Sequence, residues 1–543
     1  MAATSYISIA FSYSQLEVAV AILAILVLCV YLRRRVVRLR NVRGGLPYPP
    51  GPTPLPFIGN LFDIPRDRES AAYNKMANEY GDLTYLNVFG KSILVVNNYA
   101  TVQELFDKRS ANYSDRSQST MMDLMGWNWN FGLMRYGPDW KRHRAMFHRQ
   151  FQPSGVSAFW PTQSKEAHKL LLRMLHEPGD LINHLRLNSA SVIMNVVYGI
   201  ELQDQDDHYI TVAETALDGM AKAANPGAFL VDIFPFFKYV PSWMPGAGFK
   251  RQAASWRKSV LQMRDAPFEE VTNIMKQENI TSSFVSNLLA DLELQNDHRS
   301  NFIPPDEVET IKNCAGLAYA AGTESFVSSL SSFMLAMTLW PEVQEKARQE
   351  LDRVVGLERL PDFSDRGTLP YIDAIVKEVL RWNPVAPLGL PHMSTIDDEF
   401  KGYYIPAGTI VLGNTWTILH DPVTYPDPMK FNPERFLSNE PTIIDPVSVA
   451  FGYGRRICPG RFMAEGQLWI SIACILSVFD ITSGDRERRT EAAFGSGLIW
   501  YGHNLKETDV AAHSFAESHP LPFKTSINVR SKQAKSLIEQ TTD

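Results

Sequence analysis

Phe451-Gly452-Tyr453-Gly454-Arg455-Arg456-Ile457-Cys458-Pro459-Gly460 sets one cysteine in a glycine-rich loop, and the apolar run from Phe462 to Phe479 follows it directly as a helix. A thiolate is a strong electron donor, and a loop that presents one must hold it still and aim backbone N–H groups at the sulfur. Gly452, Gly454 and Gly460 permit the tight, positive-φ turns that such a loop requires. Arg456, two residues before the cysteine, can pair with an anionic group of a bound molecule. The other cysteines, Cys29, Cys314 and Cys474, read as plain buried thiols, since free cysteine is among the most buried residue types.

Phe451, Gly454, Arg456, Cys458 and Gly460 match the haem-binding signature of the cytochrome P450 family position for position, and the chain resembles that family from about Pro49 to Arg530. The resemblance implies a mainly α fold with a small β region, in which iron protoporphyrin (haem) lies between a long central helix and the cysteine loop. It implies Cys458 as the axial ligand of the haem iron, a role in which a thiolate favours O–O cleavage. Trp140 and Arg144 stand four apart on one helix face and match the family's tryptophan-and-arginine pair, which contacts a haem propionate. Arg456 and His392 are further propionate partners, and Ala386 to Leu390 should face substrate. Met121 to Phe131, rich in Met and Trp, is either core or, as in the family, part of the substrate pocket over the distal face of the haem.

Composition narrows the class. The chain has 543 residues, yet no internal repeat or low-complexity linker divides it. A hydrophobic fraction of 45% is that of a globular protein, and a net charge of −6 argues against a nucleic-acid partner. Four cysteines are no disulfide framework, so the catalytic part is expected to face a reducing compartment.

From Tyr6 to Leu32 the only charged residue is Glu17, and Arg33, Arg34, Arg35, Arg38, Arg40 and Arg43 follow at once. This is the length of a membrane-spanning helix with its positive flank on the cytosolic side. A cleaved secretory signal would want a basic stretch before the apolar core and small residues at a cleavage site, and neither is present. We therefore divide the chain into an N-terminal segment with a transmembrane anchor (1–32), a basic, proline-rich hinge (33–59), the haem-thiolate domain (60–530) and a polar tail (531–543). The expected location is the endoplasmic reticulum membrane, single-pass, with a cytosolic catalytic domain. Asn112-Tyr113-Ser114 and Asn279-Ile280-Thr281 fit the glycosylation sequon but would stay unused there.

Tyr80 to Asn97 reads as a hairpin broken at Gly90-Lys91, and Phe400 to Leu412 as paired short strands about a turn at Pro406-Ala407-Gly408. Lys141, Arg142, His143 and Arg149 form either a solvated basic face or a docking patch for an acidic reductase. Residues 155–300 are helical by pattern, with an aromatic and proline-rich break at Pro226 to Pro245 that could touch a membrane. Asp306 to Trp340 reads as one long helix with Ala320-Ala321-Gly322-Thr323-Glu324-Ser325 at its middle. Small residues let a flat cofactor approach the backbone, and an acid beside a hydroxyl can relay protons. The segment resembles the family's oxygen-activation motif, with Ser325 where threonine is usual; serine lacks the methyl that fixes the rotamer, which loosens coupling of electron use to product.

Glu378 and Arg381, at i, i+3 spacing, can pair on a helix; the family joins them to Arg435 in a structural network that locks the cysteine loop. Near the C-terminus, Phe494 to Ile499 would join smoothly to Ser518 to Phe523, so Trp500 to Glu517 reads as an insertion, or as a translated intron.

The chemistry implied is insertion of one oxygen atom of O2 into an apolar small molecule, a terpenoid or other secondary-metabolite intermediate. Glu324 and Ser325 are the implied proton relay. Electrons would come from NADPH through a separate flavin-bearing membrane reductase, since no G-x-G-x-x-G fingerprint is present. The rivals are a haem-binding sensor without turnover, and a peroxide isomerase or dehydratase on the same fold.

Overall fold

Helical periodicity dominates the chain, and the β-formers are confined to a few short runs. The computed structural model describes residues 45–542, apart from breaks at 66–68, 205–206, 226, 278–280, 298–304 and 439 and the stretches 485–493 and 495–517. The anchor expected at 1–32, the hinge arginines, Asn279 and the segment Trp500 to Glu517 lie outside the described residues.

After helix α1 (Glu69–Tyr80) come the hairpin strands β1 (Leu83–Val88) and β2 (Lys91–Val96). Then follow α2 (Thr120–Met125), α3 (Pro138–Phe151), α4 (Trp160–His176), α5 (Leu181–Tyr198), α6 (His208–Ala224), α7 (Gly248–Met275), α8 (Phe284–Asp297), α9 (Pro305–Leu339), α10 (Pro341–Val354) and α11 (Pro370–Trp382). Four short strands follow: β3 (His392–Met393), β4 (Asp398–Phe400), β5 (Tyr403–Ile405) and β6 (Ile410–Gly413). The chain closes with α12 (Arg461–Val478), β7 (Phe479–Ser483), β8 (Thr525–Val529) and α13 (Lys532–Glu539). Shorter helical turns fill the connections.

The largest sheet runs β1-β2-β6-β3, antiparallel at both ends and parallel between β2 and β6. The expected pairing across Pro406-Ala407-Gly408 does not form. Strand β5 pairs instead with β4, and β6 joins β2 and β3, so this turn links two sheets. Val411 of β6 enters the core opposite Leu94 in the larger sheet, and the separate β4–β5 ribbon adds Phe400 and Ile405 to the same core.

Two helical cores flank the centre. One joins α4, α5, the second half of α9, α10, α11 and α12; the other joins α2, α3, α5 to α8 and the first half of α9. Helix α9 therefore belongs to both, with apolar residues on most sides, as a helix buried all round must have. Helix α12 is similar: Leu468 to Leu476 are all buried, at roughly 1.5–3 kcal/mol for each large apolar side chain. The stretch 531–543, expected as a polar tail, instead carries α13, whose Ala534 and Ile538 enter the first core. Lysines and Gln533 hide that apolar face in composition, and its period shows only over two turns.

Candidate active site

The two cores leave between them a cavity of about 360 Å³, bounded by α9 on one side and the loop before α12 on the other. Cys458 lies on its floor. The Cys458 N–H donates to the Phe451 carbonyl at 2.8 Å, which closes the loop. Gly452 and Gly454 have φ of +82° and +56°, and a Cβ on Gly454 would sit 2.0 Å from the Phe106 carbonyl oxygen. Only glycine fits at Gly454. Gly460 departs from expectation: its φ is −90° and nothing stands within 4 Å of where its Cβ would be. It is the residue before α12 and lines a smaller pocket of about 150 Å³ that shares Cys458 and Ser325 with the cavity, and no backbone strain requires it.

Burial pushes the Cys458 thiol up; the Gly460 amide, the Arg144 and Arg461 charges and the Arg461 amide pull the other way. These amides open α12, and a helix N-terminus favours negative charge. Arg144 donates to the Ile457 carbonyl at 2.6 Å, so α3 is fastened to the cysteine loop.

Three guanidiniums, Arg116, Arg144 and Arg456, converge on the same cavity. Arg456 donates to the carbonyls of Ser114 (2.8 Å) and Met134 (2.7 Å) and lies 4.5 Å over the Trp140 ring. Arg116 donates through Nη1 to Leu390 and Pro391, both at 2.7 Å, and through Nε to Gly132. Its Nη2 has no protein partner among the described residues, nor has the Trp140 indole N–H. The nearest carboxylate, Asp115, is taken up by Arg135 and the Tyr136 N–H. Burial, reinforced by Arg456, pushes Arg116 down to about 9, and burial pushes Arg456 down to about 10. A buried cation cluster with idle donors is stable only around an anion.

The two propionates of a haem supply that charge at the edge of a cavity floored by a cysteine, so the residues present fit the group. Arg116, Trp140, Arg144 and Arg456 would hold it. His392, buried in the same wall, bonds through Nδ1 to the Tyr113 carbonyl at 2.6 Å. Burial, then the Arg116 charge, lowers its pKa well below the usual value, so its Nε2 is an acceptor unless a carboxylate arrives and restores the second proton. Arg116 escaped the sequence reading because Ser114-Asp115-Arg116-Ser117-Gln118 is wholly polar and reads as a surface turn. We predict that Arg116→Leu speeds haem transfer to an apoprotein acceptor by about 10- to 100-fold, the worth of a charged hydrogen bond or two at roughly 1.5–3 kcal/mol each. Unchanged retention would place the propionates elsewhere.

Glu324 and Ser325 separate. Consecutive helical residues point about 100° apart, and only Ser325 lines the cavity, its hydroxyl donating to the Ala321 carbonyl at 2.8 Å. Glu324, 2% exposed, faces α5 and accepts from Arg186 Nε at 3.0 Å. Glu214 of α6 approaches the same Arg186 at 3.8 Å, and His519, pushed down to about 4 chiefly by burial, lies within reach of the Glu324 charge. Arg186 is 138 residues from Glu324, and sequence alone offers no means of pairing them.

Glu378 and Arg381 are fully buried and bond through two contacts of 2.7 and 2.8 Å; Arg435 reaches Glu378 at 3.3 Å and the Asn432 N–H adds 2.7 Å. Arg381 also donates to the carbonyls of Leu419 and Lys430. The network thus clamps the irregular chain between α11 and the cysteine loop, with no contact to Cys458 itself. His143 is not part of a basic face: it is buried, with Nδ1 against the Asp139 carbonyl at 2.8 Å. Lys141, Arg142, Arg149 and Arg455 are exposed.

The roof over the cavity is tied by Asp232. Its Oδ1 accepts from Ser119 Oγ and the Met121 N–H, both at 2.9 Å, and its carbonyl accepts from Lys91. Of the Met- and Trp-rich stretch, Met121, Met125, Trp127 and Trp129 go to the core, while Met122, Asn130 and Phe131 line the cavity.

Residues 49–501 match the family model described as Cytochrome P450. The chain is 43% identical over 525 residues to a cytochrome P450 monooxygenase of Armillaria gallica, covering 96% of this chain and 99% of that one. It is 41% identical to cytochrome P450 monooxygenase 98 of Postia placenta (94% and 95% covered), and 38% identical to a tryptamine 4-monooxygenase of Psilocybe cyanescens (83% and 89% covered).

Proposed function

This chain belongs to the cytochrome P450 family and is a monooxygenase, and on that premise we propose that its substrate is a neutral, apolar secondary-metabolite intermediate, a terpenoid foremost. The observation that carries this reading is the cavity wall facing Cys458, made by Met122, Met220, Ala320, Phe326, Val385 and Leu390. Among the described lining residues the one carboxylate is Glu465, on α12, and it is paired with Arg366. A protonated amine such as tryptamine would find no counter-charge on that wall, so we assign this chain a neutral compound despite its likeness to the tryptamine enzyme.

When bound, haem iron ligated by thiolate supplies the activation of O2 from which one oxygen atom is inserted and the other leaves as water. Cys458 is held by its loop as ligand. The cavity wall excludes water and orients substrate. Ser325 holds a proton at its Oγ beside the reacting centre, and Glu324, a carboxylate paired with Arg186 behind it, relays protons by accepting one before it gives one. The retained hydroxyl favours this reading over a sensor or a peroxide isomerase.

Electrons are proposed to come from NADPH through a separate flavoprotein reductase. Exposed Lys141 and Arg455, both over the Tyr136 ring, lie together beside the cysteine loop and, with exposed Arg149 on the same helix as Lys141, suit an acidic partner. Phe62, Leu230, Phe236, Tyr239 and Trp243 are exposed large apolar side chains, the last two at 77%, close to Lys238. They support a body resting on a membrane, the endoplasmic reticulum in our reading, tethered by the apolar N-terminal stretch.

The test is NADPH oxidation and product formation in membranes holding the chain and a reductase, with a panel of terpenoids and amines. Product from amines alone would overturn the substrate assignment. In the same assay Ser325→Ala should keep consuming NADPH while product per NADPH falls by about 10-fold or more. Ser325→Thr should raise that ratio above wild type, because the methyl fixes the rotamer.

A further inference from the structure

Asn130 has an amide that the fold leaves unfinished. The residue is 6% exposed and lines the cavity. Its backbone is fully used: the N–H donates to Trp127, and the carbonyl accepts from Leu133 (3.0 Å) and Met134 (3.2 Å). Its Oδ1 accepts from the Gly132 N–H at 2.9 Å. That bond fixes which end of the amide is oxygen, because only the oxygen can accept. The Nδ2 hydrogens then have no partner among the described residues, and the nitrogen is not sealed in the protein but opens onto the cavity.

The position of the amide separates it from the propionate cluster. Asn130 is bound to the N–H side of Gly132, whereas Arg116 is bound to the Gly132 carbonyl. A Cβ built on Gly132 would meet Asn130 Oδ1 at 3.0 Å and Leu317 of α9 at 3.9 Å. The amide therefore sits toward the helix that carries Ser325. The hydroxyls of Ser325 and Ser329, the polar side chains that α9 gives to this lining, already bond to their own helix, at 2.8 Å to Ala321 and 3.1 Å to Ser325, and the Tyr453 hydroxyl is bonded to Thr415. Beside the Trp140 indole N–H, assigned above to the propionates, Asn130 is thus a neutral donor of the lining with hydrogens to spare.

Resting on the monooxygenase reading above, we propose that Asn130 is a specificity-determining residue, whose amide donates to a carbonyl or hydroxyl oxygen already present on the substrate. The substrate is then an oxygenated hydrocarbon rather than a bare one. The reaction class that supplies it must already have installed that oxygen, by oxidation or by addition of water to a carbocation or alkene. A buried donor left without an acceptor costs about 1–3 kcal/mol, so a site built this way rejects the analogue lacking the oxygen.

The test uses matched pairs: cyclic terpene hydrocarbons and the ketones or alcohols of the same skeleton, titrated into the haem-loaded full chain. Affinity is read from the substrate-induced Soret shift and, independently, by equilibrium dialysis. Wild type should bind the oxygenated member about 10- to 100-fold more tightly. Asn130→Asp keeps the oxygen that accepts from Gly132 and deletes the donor; Asn130→Leu deletes both. Each should abolish the preference while leaving hydrocarbon affinity unchanged or improved. Equal binding of each pair by wild type, or a preference that survives both variants, overturns the proposal. So does faster haem loss in the variants with discrimination intact, which would assign the amide to the cofactor. These outcomes leave the monooxygenase reading standing if the reduced, carbon monoxide-treated chain shows its thiolate band; a chain without that band fails both.

Discussion

Cys458→Ser is expected to give a protein without the red-shifted band of a reduced, carbon monoxide-treated haem thiolate, and with monooxygenase turnover at background. Burial already works against ionising the sulfur, and the loop offsets it with the Gly460 and Arg461 amides and the Arg144 and Arg461 charges. Those groups only partly counter burial, so for a thiol, whose ordinary pKa is about 8.5, binding of iron would complete the ionisation. They cannot ionise an alcohol, whose pKa lies far above. The serine oxygen would stay protonated and bind iron weakly. The loss should exceed the roughly 10- to 100-fold that removing an outer-shell partner causes. Spectra of wild type and variant in the same membranes decide it: a wild-type band in the variant would mean that another residue ligates the iron.

Glu378→Ala should be the most damaging change outside the cavity. It leaves Arg381 fully buried without its carboxylate, and Arg435 and the Asn432 N–H lose an acceptor as well. Breaking one side of a buried pair costs about 3–5 kcal/mol, because the remaining charge stays desolvated. The nearby His420, pushed down to about 3 mainly by burial and secondarily by Arg381, adds no compensating negative charge. The expected outcome is a melting temperature lower by several degrees and a poor yield of haem-loaded protein. Glu378→Leu combined with Arg381→Leu should recover part of the loss, since the stranded charge is gone. A single variant as stable as wild type would show that the clamp contributes little.

What could be read in the sequence was whatever chemistry writes in adjacent residues. The cysteine loop, the long helix through Glu324 and Ser325, and the i, i+3 pair of Glu378 and Arg381 each announce themselves within a few positions. Groups that meet only through folding left no such trace. Arg116 and Asn130 sit in polar or mixed stretches, and their roles come from where the 114–134 loop is laid across the cavity. Arg186 finds Glu324 because α5 packs along α9. Adjacency also misled: Glu324 and Ser325 are neighbours in sequence, yet helical geometry turns one away from the cavity and the other into it.

Phe494 forms a bridge with Pro520, and its ring rests against Trp382. Ser518 is held a step earlier by Asn383, Ser328 and the Val385 carbonyl. The chain therefore departs and returns through one fastened doorway, whatever lies in 495–517. Closing a loop costs only about 0.6 kcal/mol more for each doubling of its length, so growth from a handful of residues to about twenty asks for roughly 1–1.5 kcal/mol. Evolution can lengthen or trim this stretch at small expense to the fold. It is a natural graft point, where a change in length leaves the cysteine loop untouched.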